Sequence, residues 1–497
     1  MSRAEQAFEI GATNPDGVRR GHRRSIDWAS AIRRRAAGGL AVLAGLVAAT
    51  TTVPLQAQTL TQALADAYNT NPQLLAQRAL LRATDEQVPQ ALSNWRPTVN
   101  FTGQTGYATT SEQIPNVPNA MASDRHHVET RPNSLTLTAT QQVYSGGRTA
   151  AQTSQAINTV ESTRAQTLAV ETSVFQAVAM AYLDVVRDQA LVEVNRSNEQ
   201  VLRKQLEATQ DRFRVGEVTR TDVAQAESSL AQATATLIAS QGQLEISRAE
   251  YIRAVGHPPG RLMLPRDRPA LPATREEALS LASNNNFSVV SARFAELAAR
   301  DNIDFVRGQL LPQISIVGSL NRSRDQSFTF KGDLVNTAQV TAQLTMPLYE
   351  GGAIYSQTRQ AEQTVGQRRS QVDDARRAAV QLTNQNWATL EAARASISSF
   401  AAAVRAAQIA LEGTQQEALV GTRTVLDVLI ANQQLFQTQQ QLITAEHDAA
   451  LAEFNLAAAV GRLIAPELKL PVRLYDMEQH YKRVKDKWIG FGGGLTQ

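Results

Sequence analysis

The sequence predicts an α+β membrane protein built as a tandem structural repeat, with short strand hairpins that each lead into a long α-helical coiled coil. Three observations support this fold class. Equivalent motifs recur at a nearly constant spacing, short runs alternate between polar and apolar residues, and two long stretches rich in Ala, Gln, Ser and Thr have helical character. The elements are justified below in chain order.

The chain begins with a segment typical of a secretory signal peptide. A basic stretch ends in the run of residues 33–35, an apolar run follows from about residue 36 to 49, and Ala57 offers a small residue for cleavage. The apolar run is too short for a comfortable bilayer span. We therefore expect residues 1–57 to be removed and the mature chain to begin near Gln58.

Charge and composition exclude several classes of function. Residues 1–57 hold 8 Arg and 4 acidic residues, so 41 of the 49 basic and 42 of the 46 acidic residues remain, for a net charge of about −1. No basic face is left to bind nucleic acid. The chain has no cysteine, its six histidines lack ligand spacing, and neither a P-loop nor a nucleophile elbow occurs. We expect no metal, no cofactor and no enzymatic activity.

A tandem duplication organises the rest of the chain. Asn71 and Pro97 recur as Asn286 and Pro312 at a shift of 215 residues, whereas positions after the first hairpin recur at a shift of 205. The ten extra residues of the first copy fall in a Pro-, Asn- and His-rich segment that predicts a longer exposed loop. The predicted parts are the signal peptide 1–57, repeat 1 at 58–256 (hairpin about 97–144, long helices about 148–256), a linker 257–274, repeat 2 at 275–461 (hairpin about 312–349, long helices about 353–461) and a tail 462–497.

Each copy contains one predicted strand hairpin. Val99 and Phe101 interleave with polar residues, Leu135 and Leu137 do so on the returning run, and the second copy matches. Four such strands cannot close an outer membrane barrel, which needs about eight or more, and an open edge is not viable in lipid. Several chains must therefore share one barrel. Two, three or four chains would give eight, twelve or sixteen strands, and periodicity does not choose among them.

Each Gly-Gly pair is followed by a long helical stretch, roughly 148–212 and 353–417, on the order of 100 Å at 1.5 Å per residue. Phe175, Val178 and Tyr182 step by three and four residues, and Val380 and Trp387 stand at equivalent places of the second copy. This spacing is typical of a coiled-coil seam, so we interpret the aromatics as core. No run reaches the roughly 18 apolar residues of a membrane span, so the helices should stand in water.

These features resemble the TolC family of outer membrane efflux and secretion channels. The resemblance is carried by the duplication, the Tyr-x-Gly-Gly turns at Tyr144 and Tyr349, and the helix-tip motifs at 214–223 and 419–428. It implies a homotrimer with a twelve-stranded barrel in the lipid of the cell outer membrane and an α-helical tunnel in the periplasm. It also implies a periplasmic adaptor and an inner membrane ABC or other transporter as partners. The tail motif from Tyr475 to Trp488 resembles that of members attached to type I secretion systems.

The resemblance assigns roles to three groups of residues. Asp427 matches a carboxylate of the closed periplasmic entrance, while Ile430 stands where the family has a second acid, so one cation-attracting ring of three carboxylates is expected. The alternative is that Asp427 only caps its helix or pairs near Arg423. The groups are the entrance residues Asp427, Arg423 and Asp222, the adaptor docking tips Val215, Gly216, Val420 and Gly421, and the strand-to-helix turns Tyr144, Gly146, Gly147, Tyr349, Gly351 and Gly352.

The predicted function is therefore a passive exit duct of a type I protein secretion or efflux system. Small-molecule efflux is the alternative to export of a polypeptide. A coiled-coil surface scaffold would explain the long helices but not the two strand hairpins at equivalent points of the duplication. An exported hydrolase is a third class, for which the sequence offers no nucleophile, base or metal constellation.

Overall fold

A computed structural model describes residues 58–113, 125–265, 267–326 and 332–491, so the predicted signal peptide lies outside the described residues. The described strands are β1 (Thr98–Thr105), β2 (Ala108–Gln113), β3 (Arg125–Thr130), β4 (Asn133–Tyr144), β5 (Gln313–Arg324) and β6 (Leu334–Thr345). They form a four-stranded sheet in the order β1-β4-β5-β6 and a two-stranded ribbon of β2 and β3. All pairings are antiparallel.

Helices make up most of the described chain, and each copy has the same order of short helices, hairpin and two long helices. The first copy holds α1 (Leu60–Thr70), α2 (Pro72–Asp85), α3 (Gln87–Leu92), α4 (Arg148–Arg214) and α5 (Arg220–Val255). The second holds α6 (Arg275–Asn285), α7 (Phe287–Arg307), α8 (Ala353–Leu419) and α9 (Val425–Ala459), and α10 (Gln479–Val484) lies in the tail.

The two hairpins have the same strand register. Thr98 pairs with Thr140 in the first copy, and Gln313 pairs with Thr345 in the second. Gln313 follows Thr98 by 215 residues and Thr345 follows Thr140 by 205, which are the two shifts read from the sequence. The predicted tandem repeat is confirmed at the level of individual backbone pairs.

The four-stranded sheet has one apolar and one polar face. Apolar and polar residues alternate along each strand, and directly paired residues of neighbouring strands lie on the same face. On the polar face Thr136 pairs with Asn321, and the Asn321 amide donates a hydrogen bond to Thr136 Oγ1 at 2.8 Å. The two outer strands, β1 and β6, each have one unpaired edge within the described chain. The apolar face carries Val99, Phe101, Leu135, Leu137, Ala139, Ile314, Ile316, Leu320, Ala338, Val340, Ala342 and Leu344.

The longer hairpin of the first copy is partly a strand ribbon. The prediction of a longer exposed loop in this hairpin was wrong for β2 and β3, which are strands and extend the hairpin beyond the four-stranded sheet. The reason is compositional: the ribbon strands are almost wholly polar, so the alternation that marks a half-buried strand is absent there. The second copy contacts the base of this extension, where Asp325 Oδ2 accepts a hydrogen bond from the Arg131 backbone N–H at 2.7 Å. Residues 114–124 lie outside the described part.

The predicted seam is the core of the helical part. Phe175, Val178 and Tyr182 are fully buried, and the Tyr182 hydroxyl donates to the Met263 carbonyl at 2.8 Å. Trp387 of the second copy is only half-buried. Among the described residues one helical window, in α4, is apolar enough to cross a membrane, with a mean hydropathy of 1.3, although the sequence had suggested none. Because 56% of that window is buried in the chain, we assign it to the core.

The C-terminal tail packs against the first copy. The backbone N–H of Tyr475 donates to the Tyr68 hydroxyl at 2.9 Å, and the Arg78 guanidinium lies between these two rings, 4.2 Å from Tyr68 and 5.1 Å from Tyr475. Further along, His480 Nδ1 lies 3.1 Å from the fully buried carboxylate of Asp85. The tail thereby covers the short helices that lead into β1.

Candidate functional site

Two tight turns join the long helices at the end opposite to the strands. Gly216 and Gly421 have φ angles of 84° and 82°, a region that favours glycine. No heavy atom outside the adjacent residues lies within 4 Å of the position that a Cβ would occupy at either glycine, so backbone conformation rather than crowding within the chain accounts for them. Val215 and Val420, just before them, are 72% and 76% exposed. The predicted docking tips are thus exposed in the chain.

Each turn is followed by a capping box at the start of the next helix. In the second copy Asp427 Oδ2 accepts hydrogen bonds from the Thr424 backbone N–H at 2.9 Å and from its hydroxyl at 2.8 Å. The Thr424 hydroxyl accepts in turn from the Asp427 N–H at 3.2 Å. Hydrogen bonds from the backbone and side chain of Thr424 hold the pKa of Asp427 below its usual value. The carboxylate therefore stays charged while it caps α9.

The first copy repeats this arrangement with Thr219 and Asp222. Asp222 Oδ2 accepts from the Thr219 N–H and hydroxyl, both at 2.8 Å, and these bonds lower the pKa of Asp222. Capping was expected from the sequence only as an alternative for Asp427, and for Asp222 it was not predicted. The signal was available as Thr-x-x-Asp at the start of both helices. Both carboxylates have a local partner, so capping alone accounts for each of them within one chain.

Arg423 makes its contact within its own turn. Its Nε donates to Glu417 Oε2 at 2.8 Å, and both side chains are about half exposed. The hydrogen bond and charge of Glu417 raise the pKa of Arg423, with a smaller contribution from Asp427. The guanidinium thus fixes the tip to the last turn of α8. Ile430, on the next turn after Asp427, is 58% exposed.

A ladder of buried polar contacts joins α9 of the second copy to α4 of the first. The Asn432 amide donates to Asn198 Oδ1 at 2.8 Å, and the Gln440 amide donates to Asn195 Oδ1 at 3.2 Å. These residues were not predicted from the sequence, because single polar residues on a long helix give no signal without their partners. The ladder sets the position of one helical pair relative to the other above the tips.

The ladder continues to a buried histidine. His447 is 6% exposed, its Nδ1 lies 2.9 Å from Asp448 Oδ1, and its Nε2 lies 3.0 Å from Asp184 Oδ1. The second distance is a charge contact rather than an aligned hydrogen bond. Burial disfavours the imidazolium, but the contacts with the two carboxylates outweigh burial and raise the pKa of His447. Arg187, which pairs with Asp184 and Asp188, opposes this effect.

The strand-to-helix turns differ between the copies. Gly146 has a φ of 65°, and a Cβ there would collide with the Gly308 carbonyl and lie 2.8 Å from Leu311 Cβ, so the first turn packs tightly against the end of α7. Gly147 and the second-copy pair, Gly351 and Gly352, have φ between 61° and 81° with no heavy atom outside the adjacent residues within 4 Å of such a Cβ. The turn tyrosines Tyr144 and Tyr349 are 42% and 84% exposed. Gly308 was missed because its role needs the contact between copies.

Comparison with known proteins identifies the family. The family model described as "Outer membrane efflux protein" matches residues 63–257 and 278–462, one segment in each copy. The chain belongs to the outer membrane efflux protein family. The chain is similar to the outer membrane protein TolC of Vibrio cholerae, with 29% identity over 80% of this chain and 91% of that protein. The predicted resemblance is confirmed.

Other relatives and a solved structure agree with this membership. The outer membrane efflux protein BepC of Brucella suis is 35% identical over 87% of this chain and 92% of that protein. The alkaline protease secretion protein AprF of Pseudomonas aeruginosa is 27% identical over 59% of this chain and 62% of that protein. The CmeC outer membrane channel of Campylobacter jejuni has the same fold, with a TM-score of 0.73 at 14% identity over 87% of this chain and 90% of that one.

Family membership orients the site. The protein lies in the outer membrane with its helical tunnel extending into the periplasm. The strands are thus the membrane part, their apolar face is the one toward lipid, and the helix tips lie at the periplasmic end. Within the described ranges no group of three or more His, Asp or Glu side chains is arranged to hold a metal ion.

Proposed function

We propose that this chain is one protomer of a homotrimeric outer membrane channel that serves as the passive exit duct of a type I secretion or efflux system. The observation that carries the proposal is the four-stranded sheet, whose apolar face extends over all four strands and whose outer strands β1 and β6 each have an unpaired edge within the described chain. An edge of unpaired backbone groups is not stable in lipid. Three such sheets joined edge to edge would give the twelve-stranded barrel expected from the resemblance.

The duplication predicts how one protomer would pair with the next. Within the chain, β4 of the first copy pairs with β5 of the second, and Leu137 faces Leu320. The position in β6 equivalent to Leu137 of β4 is 205 residues later, at Ala342, and the position in β1 equivalent to Leu320 of β5 is 215 residues earlier, at Thr105. Ala342 of one protomer should therefore face Thr105 of its partner, as an equivalent of the pair inside the chain.

The helices support the same arrangement. Helix α7 packs against both α8 and α4, whereas its first-copy equivalent α2 packs on α4 and, in the described chain, does not bridge to a second long helix. Leu75 and Leu80 of α2 are 40% and 51% exposed. By equivalence, the neighbouring protomer's α8 would cover this side of α2.

Disulfide crosslinking tests this interface, because the chain has no cysteine of its own. Oxidised Thr105→Cys/Ala342→Cys protein should form covalent species of two and three chains, since directly paired strand residues lie within disulfide range. Gln104→Cys/Ala342→Cys is the matched control, because a one-residue slip moves one thiol to the other face. Native mass spectrometry of the detergent-extracted protein should show three chains. A conducting monomer, or crosslinking equal in the two variants, would overturn the proposal.

The tips are the proposed docking surface for a periplasmic adaptor, which would connect the duct to an inner membrane transporter that supplies the energy. The exposed Val215 and Val420 and their repetition in both copies support this role. Photo-crosslinking groups at these two positions should capture the adaptor in cells. The same group at Met263, which is exposed but far along the chain from the tips, should not.

Small-molecule efflux is the second candidate for the cargo. The name of BepC favours efflux, while the name of AprF and the tail motif from Tyr475 to Trp488 favour export of a polypeptide. Deleting the gene in its own bacterium separates them. Loss of specific polypeptides from the culture medium with unchanged dye accumulation would support secretion, and the reverse pattern would support efflux.

A further inference from the structure

Two arginines lie on the lipid-facing side of the sheet, at its end away from the helices. Arg322 pairs with Leu135 of β4, and Arg324 pairs with Asn133 of β4 and Leu334 of β6. Leu135 belongs to the apolar face, and directly paired residues share a face. Alternate residues of β5 share it too, so Arg322 and Arg324 both point toward lipid.

Within the described residues, neither guanidinium has an ion-pair partner. The two side chains are exposed, and neither forms an ion pair with any residue in the described ranges. A shallow cavity of about 560 Å³ lies between them, with Leu135 and Leu334 in its wall. Strand β5 is an inner strand of the sheet, so oligomerisation through the edges of β1 and β6 leaves this site open.

The height of the arginines places them at a membrane boundary. Arg322 lies eight residues beyond Ile314, where the apolar face begins. That separation is about 27 Å along an antiparallel strand, or roughly 20 Å of height at the tilt of outer membrane strands. An apolar band of about 25 Å that begins at Ile314 then ends about two residues beyond Arg322, near Arg324, on the side away from the periplasmic helices. The guanidiniums therefore lie at the headgroups of the outer leaflet.

We propose that Arg322 and Arg324 form a binding site for the anionic headgroup of an outer-leaflet glycolipid. Guanidinium groups bind phosphate in a bidentate manner, and same-face neighbours about 7 Å apart can reach one headgroup together. Leu135, and then Leu137 and Leu320 on the same face nearer the helices, provide the apolar wall along which the acyl chains lie. A free phosphate ion would use the charges but not this wall, so the site fits a lipid.

Native mass spectrometry of the intact oligomer titrated with bis-phosphorylated lipid A tests the site. Arg322→Gln/Arg324→Gln should weaken binding by roughly tenfold for each guanidinium removed, and Arg322→Lys/Arg324→Lys should fall between it and the parent. Arg359→Gln/Arg369→Gln, which removes two exposed guanidiniums from α8, is the charge-matched control and should bind as the parent does.

Two further arms identify the ligand class without any variant. Dephosphorylated lipid A should bind the parent protein weakly, and millimolar inorganic phosphate should not displace the phosphorylated lipid. Equal binding of both lipids, displacement by phosphate, or unchanged binding by the Gln double variant would each overturn the site. The inference rests on the placement in the outer membrane and not on the cargo or the number of chains. The number of chains is reported separately by the same spectra.

Discussion

At the scale of single residues, each capping box uses only one oxygen of its carboxylate. Asp427 uses Oδ2 for both hydrogen bonds from Thr424. Oδ1 therefore remains available to a cation at the proposed entrance. Asp222 has the same local geometry in the first copy.

Replacing Asp427 tests the entrance directly. Asp427→Asn should weaken block of the channel by trivalent cations from the periplasmic side, because it removes the charge that attracts them. Ile430→Asp should strengthen block by adding a second acid about one helical turn away. Single-channel recordings in planar bilayers measure both. If block is unchanged in Asp427→Asn, Asp427 does not line the constriction.

The buried His447 predicts a dependence of stability on pH. Its pKa is raised in the folded chain, so its contact with Asp184 and Asp448 stabilises the fold below the usual histidine pKa of about 6.5 and is lost as pH rises through the raised value. The melting temperature in detergent should therefore fall as the pH rises above about 6.5 and through the raised pKa of His447. His447→Gln should flatten this slope, while His257→Gln, at a side chain that is 42% exposed, should retain it.

At the scale of elements, the first strand-to-helix turn is held between the two copies. Gly146→Ala should lower the melting temperature well beyond Gly147→Ala. Both glycines have positive φ, but only at Gly146 would the new methyl group collide with Gly308, at a cost of about 1–3 kcal/mol. Thermal unfolding of the detergent-solubilised protein checks this order. Equal losses would mean that backbone conformation alone requires the glycines.

The ribbon of β2 and β3 carries a prediction about topology. Since it extends the hairpin from the end of the sheet opposite to the helices, its tip should face the outside of the cell. An epitope inserted near Asn119, within the segment 114–124 that the structure does not describe, should be labelled on intact cells. Labelling only after the outer membrane is permeabilised would contradict this orientation.

At the scale of the whole molecule, the sequence predicted what repeats and missed what joins the repeats. The repeat spacings and the alternation of polar and apolar residues were sufficient to predict the hairpins and the long helices, because each of these is a local pattern that occurs in both copies. The polar ladder through Asn432, the tight contact of Gly146 with Gly308, and the packing of the tail through Arg78 were not predicted. Each depends on residues from distant parts of the chain, and a lone polar or glycine residue gives no sign of its partner.

The entrance shows the same limit. The family resemblance indicated Asp427, but a single chain does not bring three such carboxylates together. The capping box that the chain does contain could have been predicted from the Thr-x-x-Asp motif. The position of Arg322 and Arg324 on the lipid-facing side could also be assigned only from the strand pairing, since the face to which Arg322 belongs follows from its partner Leu135.

The two long helices α4 and α8 have the same length, 67 residues each. Their sequences have diverged widely, yet neither has gained or lost a residue relative to the other. The ten-residue difference between the copies lies instead in the hairpin, where an added segment meets no counterpart. After the duplication, the amino-acid sequences of α4 and α8 have thus changed while their lengths have stayed equal. A deletion that shortens one helix should survive in descendants only when the other copy loses the same number of residues.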